Sequence, residues 1–326
     1  MQPTKKIFAC ALPFVAGFLL FSGCSKKPSE TARTLNIGIQ PSAAFIPLYV
    51  VRYTEALEKT FAANKQNVRV VWQDFQSGPP MNASLQADLT DVGVIGDVPT
   101  VLSLAGGTHM KLAGIPARGA DAYALLSRAD DSSISSYRDL RGKRIATVFG
   151  STGHNLTKKL LEKAGLGFSD IEFININTNV AEDSLLEGEA DAVVIWEPNV
   201  TRLVEKGSAK IVAQGSETDL RGTNAFVVRE EYMAKNSGLI RTLLAAYAQA
   251  ASQLEALDGE LLEKLSAALA ITPEQLQSII SKYDFSVAVT PADAASLQDT
   301  IRFLVSIDNL SSEYQIEDFI DTSCLP

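Results

Sequence analysis

Short β-branched runs alternate with amphipathic helical runs along most of this chain. The first round places strands at LNIGIQ (35–40), VRVVWQDF (68–75) and DVGVIG (91–96), each followed by a segment with helical spacing. Because strands separated by helices pair in one direction, the pattern predicts a parallel sheet covered by helices. This alternation limits the possible folds more than any other feature of the sequence.

The same alternation begins again in the second third of the chain. Strand-like runs recur at KRIATVFG (143–150), IEFININ (171–177) and DAVVIW (191–196). DVGVIGDVP (91–99) also aligns with DAVVIWEPN (191–199), so the two rounds match in sequence as well as in order. The chain is therefore predicted to form two similar α/β lobes.

The C-terminal third changes to helical spacing after one further strand, TNAFVVR (223–229). The simplest topology takes the chain from lobe one into lobe two and back again. Lobe one would then comprise residues 34–120 and 224–326, including the C-terminal helices, and lobe two residues 121–223. The two crossings would form a hinge near residues 118–124 and 219–225.

The N-terminus carries the features of an export signal. Lys5 and Lys6 precede an apolar run, and small residues come before Cys24. FSGC (21–24) resembles the lipobox of bacterial lipoproteins, although Phe21 stands where an aliphatic residue is usual. Residues 1–23 are thus predicted to be a signal peptide, and residues 24–33 a tether lipidated at Cys24. The alternative is an uncleaved anchor, since 17 apolar residues approach the length that crosses a bilayer.

Charge and cysteine usage exclude several classes of protein. The net charge is −9 with no basic tract, so nucleic acid is not an expected partner. Cys324 would be the only cysteine of the exported body, which excludes an internal disulfide, and no metal-ligand spacing is present. Dinucleotide, phosphate-loop and nucleophile-elbow motifs are also missing. We therefore expect no cofactor, no metal and no catalysis.

The loops at the carboxyl ends of the strands are the predicted binding site. Ligands of open α/β sheets bind there, and two facing lobes would line one cleft with these loops. GSTGHN (150–155) combines glycines, hydroxyls and the free N–H groups of a helix N-terminus, a combination suited to an anion. The expected contacts are Gln40, Ser42, Ser77 and Gly78 from lobe one and Ser151, Thr152, Gly153, His154 and Trp196 from lobe two. The alternative is that these residues only cap helices or pack in the core.

Three segments resemble the substrate-binding proteins of ABC importers for aliphatic sulfonates and the related taurine and nitrate binders. They are WQDFQSGPPMNASLQADLTDVGVIGDVP (72–99), GSTGHNLTKKLLEKAGLGFSDIEF (150–173) and ADAVVIWEPNVTRLVEKG (190–207). The resemblance implies an α/β type II periplasmic-binding-protein fold with a hinge and a ligand cleft between two lobes. It implies a monomeric, membrane-anchored extracytoplasmic lipoprotein that passes a small sulfonate-type anion to a permease powered by an ATPase. Gly153 stands where many of these proteins have alanine.

Other readings of the same scaffold stay open at this point. The ligand could be nitrate, bicarbonate or a thiamine-pyrimidine precursor, and the chain could be a lipoprotein sensor domain or an enzyme. Asp97 and Glu197 occupy matching positions in the two lobes, so together they could hold the ammonium of an amino-sulfonate such as taurine. Alternatively, each carboxylate gains ~0.3–1 kcal/mol from the helix that it begins, with no ligand present.

Overall fold

The structure, a computed structural model, describes residues 32–106, 109–257 and 259–326. The predicted signal peptide, the lipidated Cys24 and the tether up to residue 31 lie outside the described residues. In the part that is described, no helix is long and apolar enough to cross a membrane.

The described strands form two five-stranded sheets with the same internal arrangement. The first has the order β2-β1-β3-β10-β4 and is built from β1 (Arg33–Ile39), β2 (Val68–Asp74), β3 (Val92–Gly96), β4 (Met110–Gly114) and β10 (Asn224–Arg229). The second has the order β7-β6-β8-β5-β9 and is built from β5 (Tyr123–Arg128), β6 (Arg144–Thr147), β7 (Glu172–Asn175), β8 (Ala192–Trp196) and β9 (Ala209–Gln214). The prediction of two similar α/β lobes is confirmed.

Each sheet is mixed rather than wholly parallel, which corrects the expectation from the alternation. β1 is parallel to β2 and β3, and β6 is parallel to β7 and β8, as the pattern predicts. The exceptions are the strands by which the chain enters a lobe from the other one. β5 runs antiparallel to β8 and β9, and β10 runs antiparallel to β3 and β4, because each arrives from the opposite direction.

Helices cover both faces of the two sheets. Along the chain, the first six described α-helices are α1 (Ile46–Tyr53), α2 (Ala56–Ala63), α3 (Gly78–Gln86), α4 (Asp97–Ala105), α5 (Thr152–Lys163) and α6 (Ala181–Leu186). They are followed by α7 (Asn199–Glu205), α8 (Glu230–Ser252), α9 (Gly259–Leu269), α10 (Pro273–Ile280) and α11 (Pro291–Ser306). Apolar side chains of α8 to α11 belong to the two cores of the first sheet, so the C-terminal helices pack on that lobe.

Matching aspartates show how far the likeness of the lobes extends. Asp91, directly before β3, accepts a hydrogen bond from the backbone N–H of Asn36 in β1 at 2.9 Å. Asp191, directly before β8, accepts one from the N–H of Arg144 in β6 at 2.8 Å. In each lobe a carboxylate therefore fixes the register between the same two strands.

The two crossings between the lobes lie side by side. One connects β4 to β5 and the other connects β9 to β10, and Gly119 N–H donates to Gly222 O at 3.3 Å between them. Arg118, at the first crossing, pairs through its backbone with Asp284, which follows α10. The crossings are thus joined to each other and to the C-terminal part of lobe one.

Candidate functional site

A small cavity lies where the two lobes meet at the carboxyl ends of their strands. Its volume is about 20 Å³. Both lobes contribute to the lining, which consists of Gln40, Ser42, Phe45, Gly78, Gly96, Pro99, Tyr123, Ser151, Thr152, Trp196 and Asn224. Six of the residues predicted from the sequence, namely Gln40, Ser42, Gly78, Ser151, Thr152 and Trp196, are therefore brought together here.

Three helices direct their N-termini at this cavity. α3 begins at Gly78, α4 follows its cap residue Gly96, and α5 begins at Thr152. Each helix N-terminus carries a partial positive charge of about half a unit together with N–H groups that lack an acceptor within the helix. Pro79 and Pro80 have no N–H, so the first turn of α3 offers fewer backbone donors than usual. The N–H of Gly78 is one of the donors that remain. The three termini contribute positive potential at the cavity, which the carboxylate of Asp97 at the start of α4 partly offsets.

The first turn of α5 leaves its backbone donors available. Ser151 precedes the helix, yet its hydroxyl donates to the carbonyl of Val148 at 2.6 Å and makes no capping bond. The backbone carbonyl of Ser151 accepts from His154 N–H at 3.0 Å. Thr152 and Gly153 come before His154 in the chain, so their N–H groups have no acceptor inside the helix. Ser42 differs, because its Oγ accepts from Ala44 N–H at 3.3 Å and caps a short 3₁₀ turn.

Two glycines allow the walls of the cavity to approach each other. A Cβ on Gly78 would lie 2.6 Å from Cγ of Pro99, inside the contact distance of carbon atoms. A Cβ on Gly96, in lobe one, would overlap the hydroxyl of Thr152, in lobe two. The lobes therefore meet here at bare backbone, and a larger residue would hold them apart.

Gly153 lies outside the cavity lining and is needed for a different reason. A Cβ at this position would stand 2.5 Å from Oγ1 of Thr147 and 3.1 Å from the carbonyl of Val194. Thr147 itself donates to that carbonyl at 2.7 Å. Glycine thus lets α5 pack closely over β6 and β8. Ser77, the cap residue of α3, is buried next to the cavity but is also outside its lining.

His154 lies in an aromatic core rather than along the cavity. The residue is 7% exposed, and its Nδ1 accepts a hydrogen bond from Gly150 N–H at 3.3 Å. Burial lowers the pKa of His154 to about 4, so the ring is neutral at physiological pH. Its ring centroid lies between 5.0 and 5.4 Å from those of Phe149, Phe168, Phe173 and Phe303. Packing in the core, the alternative to ligand contact, therefore describes this histidine better.

Asp97 joins the two lobes without lining the cavity. Its carboxylate accepts from Val98 N–H at 2.8 Å, from Asn155 Nδ2 at 2.7 Å and from Thr300 Oγ1 at 3.2 Å. Asn155 belongs to α5 of lobe two, whereas Thr300 belongs to α11 of lobe one. The carboxylate is therefore a buried acceptor that holds the lobes together beside the site.

Glu197 is likewise occupied by groups of the chain itself. Its carboxylate accepts from the N–H of Thr201 at 3.0 Å and from the hydroxyl of Thr201 at 2.8 Å, and it pairs with the ammonium of Lys282. Lys282 follows α10 of lobe one, so this ion pair also crosses between lobes. Asp97 and Glu197 thus have separate partners, and the ammonium beside Glu197 is supplied by the protein.

Five lining residues were not predicted from the sequence, namely Phe45, Gly96, Pro99, Tyr123 and Asn224. Tyr123 and Asn224 lie within the two predicted crossings, and this position near the hinge was the sequence feature that could have identified them as lining residues. Burial raises the pKa of Tyr123 to about 12, with a further contribution from the charge of Asp97. The phenol is therefore neutral and can donate a hydrogen bond. Asn224 Nδ2 donates to Gly222 O at 3.1 Å.

The lining holds no charged side chain and no thiol. Its polar groups are hydroxyls, amides and backbone, and the remainder is aromatic ring, proline and glycine. Among the described residues, no group of three or more histidine, cysteine or acidic side chains is arranged to hold a metal ion. Such a cavity can bind an anion through dipoles and neutral donors, and its lining side chains offer no group that is ionised near neutral pH.

Comparison with protein families and curated proteins gives consistent matches. The family model described as NMT1/THI5 like matches residues 85–256, which is more than half of the chain. The Escherichia coli (strain K12) protein that carries the name aliphatic sulfonates-binding protein is 29% identical over 270 residues, covering 82% of this chain and 81% of that protein. The taurine-binding periplasmic protein of the same strain is 23% identical over 213 residues, covering 64% and 63%.

Solved structures share the fold at lower identity. The alkanesulfonate-binding protein SsuA from Xanthomonas axonopodis pv. citri, bound to MOPS, superposes with a TM-score of 0.79 at 23% identity, covering 88% of this chain and 98% of that one. The desulfurization enzyme DSZB superposes with a TM-score of 0.65 at 15% identity, covering 90% and 97%. The predicted periplasmic-binding fold is therefore confirmed, and the same fold also occurs in an enzyme.

Proposed function

From the premise that this chain belongs to the NMT1/THI5-like family, we propose that it is the substrate-binding protein of an ABC import system. Its ligand would be a small oxyanion, most consistently an aliphatic sulfonate or taurine, held in the cavity between the lobes. Relatives named as sulfonate- and taurine-binding proteins support this choice.

The observation that carries the proposal is the convergence of three helix N-termini on one cavity lined by neutral groups. An anion there would meet the N–H groups of Gly78 and Thr152 and the phenol of Tyr123. These donors come from both lobes and require no cationic side chain. Binding through fixed dipoles suits a chain whose overall charge of −9 would otherwise repel an anion.

The binding cycle follows from the size of the cavity. A volume of about 20 Å³ is close to the space that one buried water needs. A sulfonate head group therefore enters only when the lobes separate about the two crossings. Donors from both lobes then bind the closed arrangement better than the open one, and this difference in affinity drives closure. Trp196, from lobe two, packs against the ligand beside its head group.

An enzymatic role on the same fold is less well supported. The DSZB structure shows that the fold can carry a desulfurization enzyme. In the part of this chain that the structure describes, Cys324 is the free cysteine, and it is buried with its Sγ donating to Ser237 O. Cys324 does not line the cavity, and Tyr123, the titratable side chain that does, is held neutral by its raised pKa. We therefore assign binding without catalysis.

The remaining parts of the proposal concern where the protein works. We propose that the N-terminal signal exports a monomer, that Cys24 carries the lipid anchor, and that the closed form is recognised by a membrane permease with its ATPase. The relative named as a taurine-binding periplasmic protein supports the extracytoplasmic location. Incorporation of labelled palmitate into the chain but not into a Cys24→Ala variant would test the anchor.

A thermal-shift screen of the full-length chain in mild detergent tests the ligand class. The probes are methanesulfonate, ethanesulfonate, taurine, sulfate, nitrate and bicarbonate. A ligand present at 100 times its dissociation constant stabilises the folded state by ~2.7 kcal/mol, which raises the midpoint measurably. The proposal fails if none of these anions raises the midpoint.

A matched pair of variants then locates the binding site. Thr152→Val removes a hydroxyl from the cavity, and Thr157→Val removes a buried hydroxyl one turn later in the same helix, outside the cavity. We expect Thr152→Val to reduce the midpoint shift and Thr157→Val to preserve it. If the anion raises the thermal midpoint of the two variants equally, it binds outside this cavity.

A further inference from the structure

The inter-lobe cavity adjoins a second, larger depression on the other side of the same loops. In the loop after β1, Gln40 lines the cavity and its neighbour Pro41 lines the second depression. In the loop after β8, Trp196 lines the cavity and Pro198 lines the second depression. In the loop before α3, Gly78 faces inward and Gln76 faces outward. We call this second depression, which includes Pro41, Gln76, Pro198, Tyr49, Phe75 and Arg202, the outer groove. Three loops thus form a shared wall between the cavity and the outer groove.

The two spaces differ greatly in size. The cavity has a volume of about 20 Å³, whereas the outer groove has a volume of about 550 Å³ and is lined from both lobes. The larger value falls in the range of ~300–1,000 Å³ that is typical of small-molecule sites. A compact anionic head group suits the cavity. The wall consists of loops from both lobes, so it parts when the lobes separate, and an organic chain attached to the head group can then extend into the outer groove.

One wall of the outer groove is aromatic. Tyr49 and Phe75 of lobe one line it, and Tyr49 stacks on Tyr53 with 6.0 Å between the ring centroids. Burial raises the pKa of Tyr49, so its phenol is neutral. Aromatic rings pack well against the apolar part of an organic ligand. Because Tyr49 is only 4% exposed, the half-buried Phe75 offers the larger part of this surface.

The opposite wall, in lobe two, presents a cation. Arg202 donates from Nη2 to the amide oxygen of Asn199 at 2.5 Å, a neutral partner. Within the described residues Arg202 forms no ion pair, although its charge contributes to lowering the pKa of Glu182, whose main partner is Lys206. Arg52, on the same groove, is instead neutralised by a two-point ion pair with Asp74, at 2.6 and 3.0 Å. Arg202 is therefore the cation of the outer groove whose charge no ion pair offsets.

From this arrangement we infer that the ligand is an organosulfonate whose tail ends in a second anionic or strongly accepting group, and that Arg202 recognises that group. The inference rests on the proposed function, since it assumes that the head group sits in the cavity. The apolar middle of the ligand packs on Tyr49 and Phe75, while its far end accepts hydrogen bonds from the guanidinium. Arg202 is thus a specificity-determining residue and Tyr49 and Phe75 select for the tail.

Calorimetric titration of the full-length chain in mild detergent with three monosulfonates tests the inference. Methanesulfonate has no tail, benzenesulfonate has an apolar tail, and 4-sulfobenzoate adds a carboxylate at the far end. We expect the dissociation constant to fall about tenfold at each step of this series, as burial of a ring and one charge-assisted hydrogen bond would produce. Equal affinities for all three overturn the inference while leaving the proposed function intact. Failure of every sulfonate to bind is a different result, which removes the proposed function itself.

Variants isolate the role of Arg202. Arg202→Gln should raise the dissociation constant of 4-sulfobenzoate about tenfold or more and leave that of methanesulfonate within about twofold. Lys206→Gln is the matched control, because it removes one positive charge next to the same helix from a residue outside the groove. If Lys206→Gln weakens 4-sulfobenzoate as much as Arg202→Gln does, the effect is one of general charge and the assignment of Arg202 is wrong.

Discussion

Asp293 and Arg118 form a two-point ion pair that ties the first crossing between the lobes to α11. Nε and Nη2 of Arg118 each lie 2.6 Å from one carboxylate oxygen, and Asp293 is completely buried. The same carboxylate accepts from Nε of Arg221, which lies in the second crossing, at 2.7 Å. One side chain of lobe one therefore fixes both segments about which the lobes would move.

Replacing Asp293 is expected to destabilise the protein strongly. Asp293→Asn leaves Arg221 without its carboxylate partner and Arg118 with only the exposed Asp284, 3.4 Å from its Nη1. Breaking a buried pair in this way costs ~3–5 kcal/mol. Chemical denaturation gives the free energy of unfolding. Asp299→Asn, on the same helix but in an exposed pair with Arg302, should change that free energy by less than about 0.5 kcal/mol. Similar losses in the two variants would contradict the anchoring role.

His154 should make the folded state sensitive to mild acid. Burial lowers its pKa to about 4 from an ordinary value of 6.5, so between these values the unfolded chain binds more protons than the folded one. The contribution of His154 is therefore fully present above pH 6.5 and is lost as the pH falls toward 4, by up to roughly 3 kcal/mol. Denaturation curves at pH 4.5, 5.5, 6.5 and 7.5 measure this loss.

Two histidine variants separate this effect from the titration of carboxylates. His154→Phe keeps an aromatic ring in the cluster and should flatten the dependence between pH 4.5 and 6.5. His109→Gln changes a histidine whose side chain is 88% exposed and should leave the dependence as it is in the unmodified protein. An unchanged dependence in His154→Phe would show that other groups cause it.

Asn155 should control closure of the lobes, because its Nδ2 reaches across to Asp97 at 2.7 Å. Asn155→Asp would place a second carboxylate against the first, and like charges at such a contact cost several kcal/mol. We expect ethanesulfonate to bind about 100-fold more weakly to this variant than to the unmodified protein at pH 8. Calorimetry measures this loss, with the exposed Asn309→Asp as a control that should bind normally.

Lys282 and Glu197 should show strong coupling in a double-mutant cycle. Lys282→Met leaves the buried carboxylate of Glu197 without its ammonium, at an expected cost of about 3 kcal/mol of unfolding free energy. Adding Glu197→Gln removes the unpaired charge and should recover part of that cost. Lys235→Met, in an exposed pair with Glu231, should cost less than about 0.5 kcal/mol. Additive effects of the two substitutions would show that the ion pair contributes little.

Gly153→Ala should be destabilising, because α5 packs closely over β6 and β8 at this position. Its methyl group would lie 2.5 Å from Oγ1 of Thr147, and overpacking of this kind costs ~1–3 kcal/mol. Gly167→Ala provides the comparison, because a Cβ there would have its nearest neighbour, the hydroxyl of Ser169, 3.9 Å away. Thermal denaturation of both variants distinguishes a packing role from none.

The sequence by itself determined the two-lobed α/β architecture and the loops that meet between the lobes. Short, continuous apolar runs such as DVGVIG and DAVVIW predict buried strands, and their matching neighbours imply matching lobes. Local chemistry also placed Gly78, Ser151 and Thr152 at helix N-termini, where they now line one cavity. These features follow from short-range patterns that the sequence displays directly.

Only the tertiary structure decided which groups face the cavity and which are already satisfied. Asp97 and Glu197 look equivalent in sequence, yet one bonds to Asn155 and Thr300 and the other to Lys282, which lies 85 residues away. Tyr123 entered the lining for a similar reason, because the antiparallel strand it begins places it beside Trp196 of β8. Such partnerships depend on residues brought together from distant parts of the chain, and no local pattern encodes them.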